Sequence, residues 1–214
     1  MFAAAMSLDA SPLPADFMAA IGMNAERERE VEWFREMLTA ANAHINLVGA
    51  STLADFSRRH LIDSAQLVWF EPEARLWADL GSGAGLPGII LAILMKGRAG
   101  AHVHLVESMA KRCQFLAEVA ARLELPATLH HARAEDLSLE VEIVTARACA
   151  PLTRLFGFSR PYMARGARGL FLKGQDVENE IAVARATWRF SWRTHASLSD
   201  PRGRVLAVEG LTHV

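Results

Sequence analysis

The ten residues DLGSGAGLPG at 79–88 leave this chain few folds to choose from. An apolar run, Leu76-Trp77-Ala78, leads into them, and a second, Ile89-Ile90-Leu91-Ala92-Ile93-Leu94, leads out. The order reads as strand, glycine turn, helix. Gly81, Gly83 and Gly85 lack a Cβ where a tight turn needs unusual dihedrals and a ligand must approach the backbone. Pro87 suits a first helical turn, where a missing N–H costs nothing. Open α/β sheets bind ligands at such a turn, outside the carboxyl ends of their strands. A nucleotide-like cofactor is the expectation; the plainer reading is a glycine turn that only packs helix on strand.

Glycine spacing alone does not choose the cofactor. G-x-G-x-G with Asp79 two residues ahead resembles the S-adenosylmethionine (SAM) loop of class I methyltransferases. Gly83-x-Gly85-x-x-Gly88 also satisfies the dinucleotide fingerprint, so an NAD-dependent oxidoreductase stands as an alternative. Two points favour SAM. The dinucleotide pattern wants its first glycine directly after the strand; that glycine is Gly81, and counting from it puts Leu86 at the third position. Asp79, at the strand end, can reach the methionine part of SAM through its amino group or a water, whereas it would repel a pyrophosphate.

A chain of 214 residues suits one domain with a sizeable core and a small appendage. No apolar stretch reaches membrane-spanning length, since the run from Gly88 stops at Lys96. The start MFAAAMSLDA lacks the basic and long apolar regions of a signal peptide, so a cytoplasmic protein with no membrane partner is expected. Cys113 and Cys149 have no zinc or redox spacing. His102 and His104 share a strand face while His130 and His131 point oppositely; neither pair completes a ligand set, and no metal is expected. The net charge of −1 argues against a general nucleic-acid binder. Its distribution is uneven: residues 143–173 hold Arg147, Arg154, Arg160, Arg165, Arg168 and Lys173 and no acid. Such a segment is either a phosphate-facing surface or a solvated face.

Residues 14–69 read as helical. Asn24 can cap a helix in which Val31, Phe34, Leu38 and Ala41 recur at 3.6 spacing. After a break at 46–49, Ser51 can cap a second stretch through Phe56, Leu61 and Leu67 to Trp69. Strand and helix then alternate: LWADL, helix 87–96, HVHLVE at 102–107, helix 109–123, ATLHH at 127–131, EIVTA at 142–146, helix 150–163 and GLFLK at 169–173. Arg189–Ala196 and Arg204–Val208 should close the sheet as an antiparallel pair at one edge. The expected fold is α/β, a Rossmann-like, mostly parallel seven-stranded sheet with helices on both faces. An N-terminal helical extension over 1–70 precedes a SAM-binding domain over 71–214. Helix 87–96, apolar all round, should lie between the sheet and the N-terminal helices.

Polar groups gather at one set of strand ends. Gly81 ends the first strand and Glu107 the second; Ala134-Glu135 follows the third, Arg147 the fourth, and Lys173 ends the fifth. Glu107 can accept hydrogen bonds from ribose hydroxyls, Glu135 faces an adenine edge, and Arg147 can fork onto a carboxylate or phosphate. Taken singly each has a structural explanation; together they are consistent with one site. Lys111 and Arg112 occupy the first turn of helix 109–123, where the dipole disfavours cations. RNA phosphate, Glu107 or Glu135 would compensate them.

With these residues in place the chain resembles the bacterial 16S rRNA guanine-N7 methyltransferase family, RsmG, also called glucose-inhibited division protein B. The matching stretches are INLVGAS (45–51), RRHLIDS (58–64), DLGSGAGLPGI (79–89), LVESMAKRCQFL (105–116), HARAED (131–136), TARACAPL (145–152) and LFLKG (170–174). The resemblance implies a class I SAM-dependent fold, with SAM contacts at Gly81, Leu86, Ala134, Glu135 and Arg147 beside Asp79, Gly83, Gly85 and Glu107. It implies 16S rRNA in the 30S subunit as partner. Two positions depart: the usual aspartate after the second strand is Glu107, and the Asn-Leu pair is followed by Val48 rather than threonine.

The implied reaction transfers the SAM methyl group to guanine N7. That atom carries an in-plane lone pair and no proton, so no general base is needed and alignment should dominate. Arg147 and Lys173 are candidates to hold the target nucleotide, with His60 and Asp63, three apart on one helix face, supporting them. Arg58, Arg59, Lys111, Arg112, Arg133 and Lys173 are RNA-binding candidates. Another RNA or small-molecule substrate, or a non-enzymatic SAM-binding module, are further alternatives. Cys149 lacks the Pro-Cys context of a cytosine-C5 nucleophile and reads as a small buried hydrophobe. Nothing demands a dimer, and a monomer is expected.

Overall fold

In a computed structural model, residues 13–214 are described. Helices α1 (Phe17–Ala20), α2 (Ala25–Ile45) and α3 (Ala50–Leu53) come first, then a turn of π-helix (Ser57–Ile62) running into α4 (Asp63–Phe70). The alternating part follows as β1 (Leu76–Leu80), α5 (Gly88–Met95), β2 (His102–Glu107), α6 (Ala110–Arg122), β3 (Ala127–His131), β4 (Ile143–Arg147), α7 (Leu152–Met163), β5 (Arg168–Lys173), α8 (Val177–Ala184), β6 (Trp188–Ala196) and β7 (Arg204–His213). A short 3₁₀ turn, Ala134–Asp136, sits between β3 and β4.

The strands form one sheet in the order β3-β2-β1-β4-β5-β7-β6. Strands β1 to β5 pair in parallel; β7 runs antiparallel beside β5, and β6 antiparallel to β7 at the edge. This is the mostly parallel seven-stranded arrangement expected from the sequence, with its closing antiparallel pair. The connections reverse direction between β1 and β4, the switch point where such sheets bind ligands.

Side chains alternate between two cores with the period of a strand. Trp77, Ile143 and Leu170 face α2, α4, α5 and α6; Ala78, Val144 and Phe171 face α7 and α8. Helix α5 is buried on every side, held between the sheet and α2 and α4. Its eight apolar residues contain no position fit for solvent. Asn24 caps α2 as expected, its side chain accepting from the N–H groups of Glu26 and Arg27.

Two local expectations need correction. Gly49, not Ser51, precedes α3. The Asn42 Oδ1 atom accepts from Leu47 N (2.6 Å) and Val48 N (2.8 Å), which fixes the turn early and leaves Ser51 inside the helix. Helix α8 had no counterpart in the sequence reading; only Val177, Ile181 and Ala184 are buried, too few to give eight residues a clear period.

Candidate functional site

The glycine turn is held by the residues that bracket it. Gly81, Gly83 and Gly85 have φ of +67°, +55° and +84°, a region that glycine enters without a steric penalty. A Cβ on Gly85 would lie 2.4 Å from Ile89 Cγ1, and one on Gly81 2.8 Å from Cys149 Sγ. The Asp79 Oδ2 atom accepts from Gly88 N at 3.0 Å and anchors the start of α5. Glu107 Oε2 accepts from Gly83 N at 2.9 Å, while Oε1 accepts from Ser108 N (2.7 Å) and Met109 N (2.8 Å). Tyr162 Oη donates to Ala134 O at 3.0 Å and so positions the 3₁₀ turn after β3.

These contacts modify two expectations. Asp79 has no exposed surface, so it does not reach out toward a ligand as anticipated. It closes the turn from beneath, and only Oδ1, buried and unpartnered among the described residues, remains for an amino group. Burial pushes its carboxyl up to about 7. Glu107, nearly buried, has most of its acceptor capacity on backbone N–H groups; it ties the turn to α6 before it serves any ribose. The orphan Oδ1 and the open Cβ side of Gly83 nonetheless fit a cofactor carrying an ammonium group.

A second feature lies further along the same edge. A cavity of about 660 Å³ opens beside β4 and β5. The π-helical turn and the β6–β7 loop wall it, and five basic side chains (Arg59, Arg147, Lys173, Arg202, Arg204) line it against three acids (Asp63, Glu180, Asp200). The surplus favours an anion such as phosphate.

Arg147 stands between turn and cavity. One guanidinium nitrogen donates to Arg59 O (3.0 Å), to His60 Nδ1 (3.1 Å) and to Asp63 Oδ2 (3.3 Å). Arginine can only donate, so His60 Nδ1 must accept and the ring proton sits on Nε2. That nitrogen meets Thr52 Oγ1 at 2.9 Å, and Thr52 Oγ1 donates in turn to Gly49 O at 2.7 Å. Burial, then Arg147 and Arg59, lower the His60 pKa to about 4, so the ring stays neutral. His60 and Asp63 therefore do act as a pair, through a hydrogen-bonded link from helix to sheet. Ala148, the next residue, is held at φ +49°, a strained conformation of the kind that collects at functional sites.

Sequence reasoning missed the opposite wall. Asp63 Oδ1 accepts from Ser199 Oγ (2.6 Å), Gln66 Oε1 accepts from Leu198 N (2.8 Å), and Arg58 Nε donates to Ser199 O (2.6 Å). The run Ser197-Leu-Ser-Asp-Pro-Arg-Gly203 is rich in turn formers, which flags a loop but not its neighbour. Lys173 Nζ donates to Glu180 Oε2 at 2.6 Å, on the helix that went unforeseen.

The remaining basic candidates divide. Arg58 is tied to the Ser199 carbonyl and Arg112 lies 3.8 Å from Glu107, so both, like Arg147 and Lys173, have internal partners. Glu107 is thus the anion that compensates the first turn of α6. Lys111 and Arg133 are exposed with no described partner, Glu135 is exposed, and Leu86 keeps its side chain in the core. Arg59 pairs with Asp200 at 3.6 Å on the cavity rim. Cys149 packs under Gly81, and burial raises its thiol pKa, as suits a space-filling residue. His104 Nδ1 and His130 Nε2 are 3.0 Å apart. Among the described residues no three His, Cys, Asp or Glu side chains gather as a metal site. No described helix is long and apolar enough to cross a membrane.

Comparison with known proteins bears on this edge. The family described as rRNA small subunit methyltransferase G matches residues 27–204. Two curated proteins named ribosomal RNA small subunit methyltransferase G are close relatives. That of Caulobacter vibrioides is 56% identical over 200 residues, covering 94% of this chain and 93% of that protein. That of Parvibaculum lavamentivorans is 44% identical, covering 91% and 88%. Among solved structures, magnesium protoporphyrin IX methyltransferase from Synechocystis with bound SAM superposes at a TM-score of 0.56 and 14% identity, covering 88% of this chain and 99% of that one. A SAM-dependent methyltransferase from Aquifex aeolicus gives 0.54 at 15% identity, covering 75% and 96%. At such identities these structures speak for the fold.

Proposed function

The chain belongs to the rRNA small subunit methyltransferase G family, and from that premise we propose that it methylates N7 of a guanine in the decoding-region loop of 16S rRNA. It is a SAM-dependent methyltransferase of small-subunit rRNA. The observation that carries the residue-level reading is the adjacency of a glycine cradle at the β1–β4 switch point and a basic cavity, with Arg147 shared between them.

Bound SAM supplies an activated methyl group on a sulfonium. The turn at Gly81 and Gly83 offers it backbone, Glu107 fixes the turn, and Ala134 and Glu135 border the adenine side. Leu86 contributes apolar packing from below. Asp79 Oδ1 is the acceptor left for an ammonium group. Arg147 and Lys173 hold the target nucleotide or its phosphate, while His60 and Asp63 keep Arg147 aimed. No side chain has to remove a proton, because guanine N7 bears none; the catalytic contribution is alignment. The target base is splayed out of its loop and gripped by its edges. The N-terminal helices up to residue 70 supply one wall of the cavity, and residues 71–214 the cradle.

The same reading makes the substrate 16S rRNA, whether naked, in an assembly intermediate or in the finished 30S subunit, and the enzyme a cytoplasmic monomer that needs no metal. With so small a net charge, RNA affinity rests on few phosphate contacts and a shallow salt slope. Labelled SAM incubated with 30S subunits lacking the modification tests the activity, and mass spectrometry of the 16S rRNA locates the methyl group. Transfer to guanine N7 is expected; SAM binding without transfer would overturn the proposal.

A further inference from the structure

Strand β6 has an outer edge that pairs with no described strand. It carries Arg189, Ser191, Arg193 and His195 on one face and Trp188, Phe190 and Trp192 on the other, as the ring contacts require. Phe190 packs on Phe156 of α7 at 4.7 Å and on Trp192 at 5.4 Å, whereas His195 lies against Phe70 of α4 at 4.7 Å. Trp192 stays 37% exposed, and the Arg185 guanidinium lies over its ring at 5.4 Å. Arg189 and Arg193 are exposed and make no ion pair or side-chain hydrogen bond with any described residue, unlike the arginines around the cavity. Residues 185–204 contain five arginines and one acid, Asp200. On this face the register sets Glu209 opposite Ser191, and Glu209 also acts on Arg168 of β5.

Direction links this edge to the site. Because β7 is antiparallel to both β5 and β6, β6 runs parallel to β1–β5 and delivers its carboxyl end to the same side of the sheet. The residues that follow, Ser197 to Gly203, form the cavity wall, with Arg202 and Arg204 inside it. At about 3.3 Å per residue, Arg193 lies roughly 10 Å and Arg189 roughly 23 Å along the strand from Ala196. Unpaired guanidinium groups on one face of the edge strand and an exposed ring on the other are the components of a track for a single nucleic-acid strand laid over that edge, cations for phosphates and a ring for a base.

We propose that the β6 edge is a docking track for the RNA strand that enters the cavity: Arg189 and Arg193 take phosphates, and Trp192, backed by Arg185, stacks a base. The inference rests on the rRNA reading above. Edge strands also carry charges simply to prevent edge-to-edge pairing, and the test must separate the two.

Arg189→Gln/Arg193→Gln and Arg189→Glu/Arg193→Glu double variants, with Trp192→Ala, are compared with wild type on 30S subunits lacking the modification. A track predicts that the glutamine pair raises KM for 30S by about tenfold near physiological salt and flattens the salt dependence by about 1.4 in slope, two single-strand contacts. The reversed pair should do more, Trp192→Ala should raise KM severalfold, and kcat and SAM affinity should stay at wild-type values. An unchanged KM and salt slope in the glutamine pair, with or without aggregation, would overturn the proposal and leave the arginines as edge guards. Filter binding of unmodified 16S rRNA to the same variants is run in parallel. If wild type binds that RNA but transfers nothing, the activity reading fails while the track is still judged by the variants' binding.

Discussion

The cradle after β1 and the cavity beside β4 and β5 occupy one sheet edge yet are assembled in opposite ways. The cradle's bonds are local: Asp79 reaches nine residues ahead to Gly88, and Glu107 reaches 24 back to Gly83. The cavity's bonds join distant parts of the chain: Arg147 to Asp63 spans 84 residues, Asp63 to Ser199 spans 136, and Arg58 to Ser199 spans 141. Backbone geometry defines the cradle, side-chain polarity the cavity. A cradle can therefore be shared by many enzymes acting on different substrates, while a stitched cavity belongs to one of them. Damage should follow the same division, with cradle changes felt as lost stability and cofactor binding, and cavity changes as lost transfer.

The largest effect should come from Gly88→Ala, whose Cβ would lie 2.4 Å from Leu105 Cδ2 and 2.6 Å from Asp79 Oδ2. Overpacking at that point should cost about 3 kcal/mol and remove measurable SAM binding, read by denaturant melts and calorimetry. A folded variant that still bound SAM would break the claim that the cradle is sterically defined.

Arg147→Ala and Lys173→Ala sharpen the boundary. Losing Arg147 should reduce transfer by about 100-fold through misalignment, and weaken SAM as well, because it borders both features. Lys173→Ala should lower transfer while leaving SAM affinity intact. Full transfer by the Lys173 variant in a single-turnover assay removes that lysine from the mechanism.

His60 should give the cavity a pH signature. Its ring holds a pKa of about 4 in the fold, against an ordinary value of 6.5, so the unfolded chain binds the extra proton between those values. Stability is then complete above about pH 6.5 and declines toward pH 4, by roughly 1–3 kcal/mol for a shift of this size. His104, lowered for similar reasons, contributes in the same direction, and Asp79, whose pKa is raised, in the opposite one. His60→Gln keeps an acceptor for Arg147 and removes the titration, so the slope of stability against pH in that window should shrink while transfer at pH 7.5 is largely retained. An unaltered slope would take His60 out of the account.

Smallest of all is Cys149→Ala. Its thiol is held protonated and packs under Gly81, so transfer should be unchanged within error. A loss of activity would point to covalent chemistry that nothing else at the site supports.

These differences mirror what a linear reading could reach. Asp79, Gly81, Gly83, Gly85 and Glu107 were legible because turn, strand end and helix start follow each other in the sequence. The alternation of Trp77 and Ala78, or Leu170 and Phe171, reveals the sheet for the same reason, since neighbouring residues face opposite cores. Matching segments then indicated the family. The pairing of Arg147 with His60 and Asp63 was half visible, as a spacing of three on one helix face. Ser197, Ser199 and Arg202 were out of reach, because nothing local fixes which wall a polar loop will join.

By itself, then, the sequence determined the β/α alternation, the glycine turn and the apolar α5, all of them consequences of steric and hydrophobic preferences acting within about one element's length. Only the tertiary structure decided that Asp79 turns inward, that Glu107 neutralises the α6 terminus, and that Arg58 and Arg112 serve the protein's own bonds. The physical reason is competition. A polar group takes whatever partner the packed chain brings within hydrogen-bond distance, and that partner lies from five residues away, as for Arg112, to 141, as for Arg58.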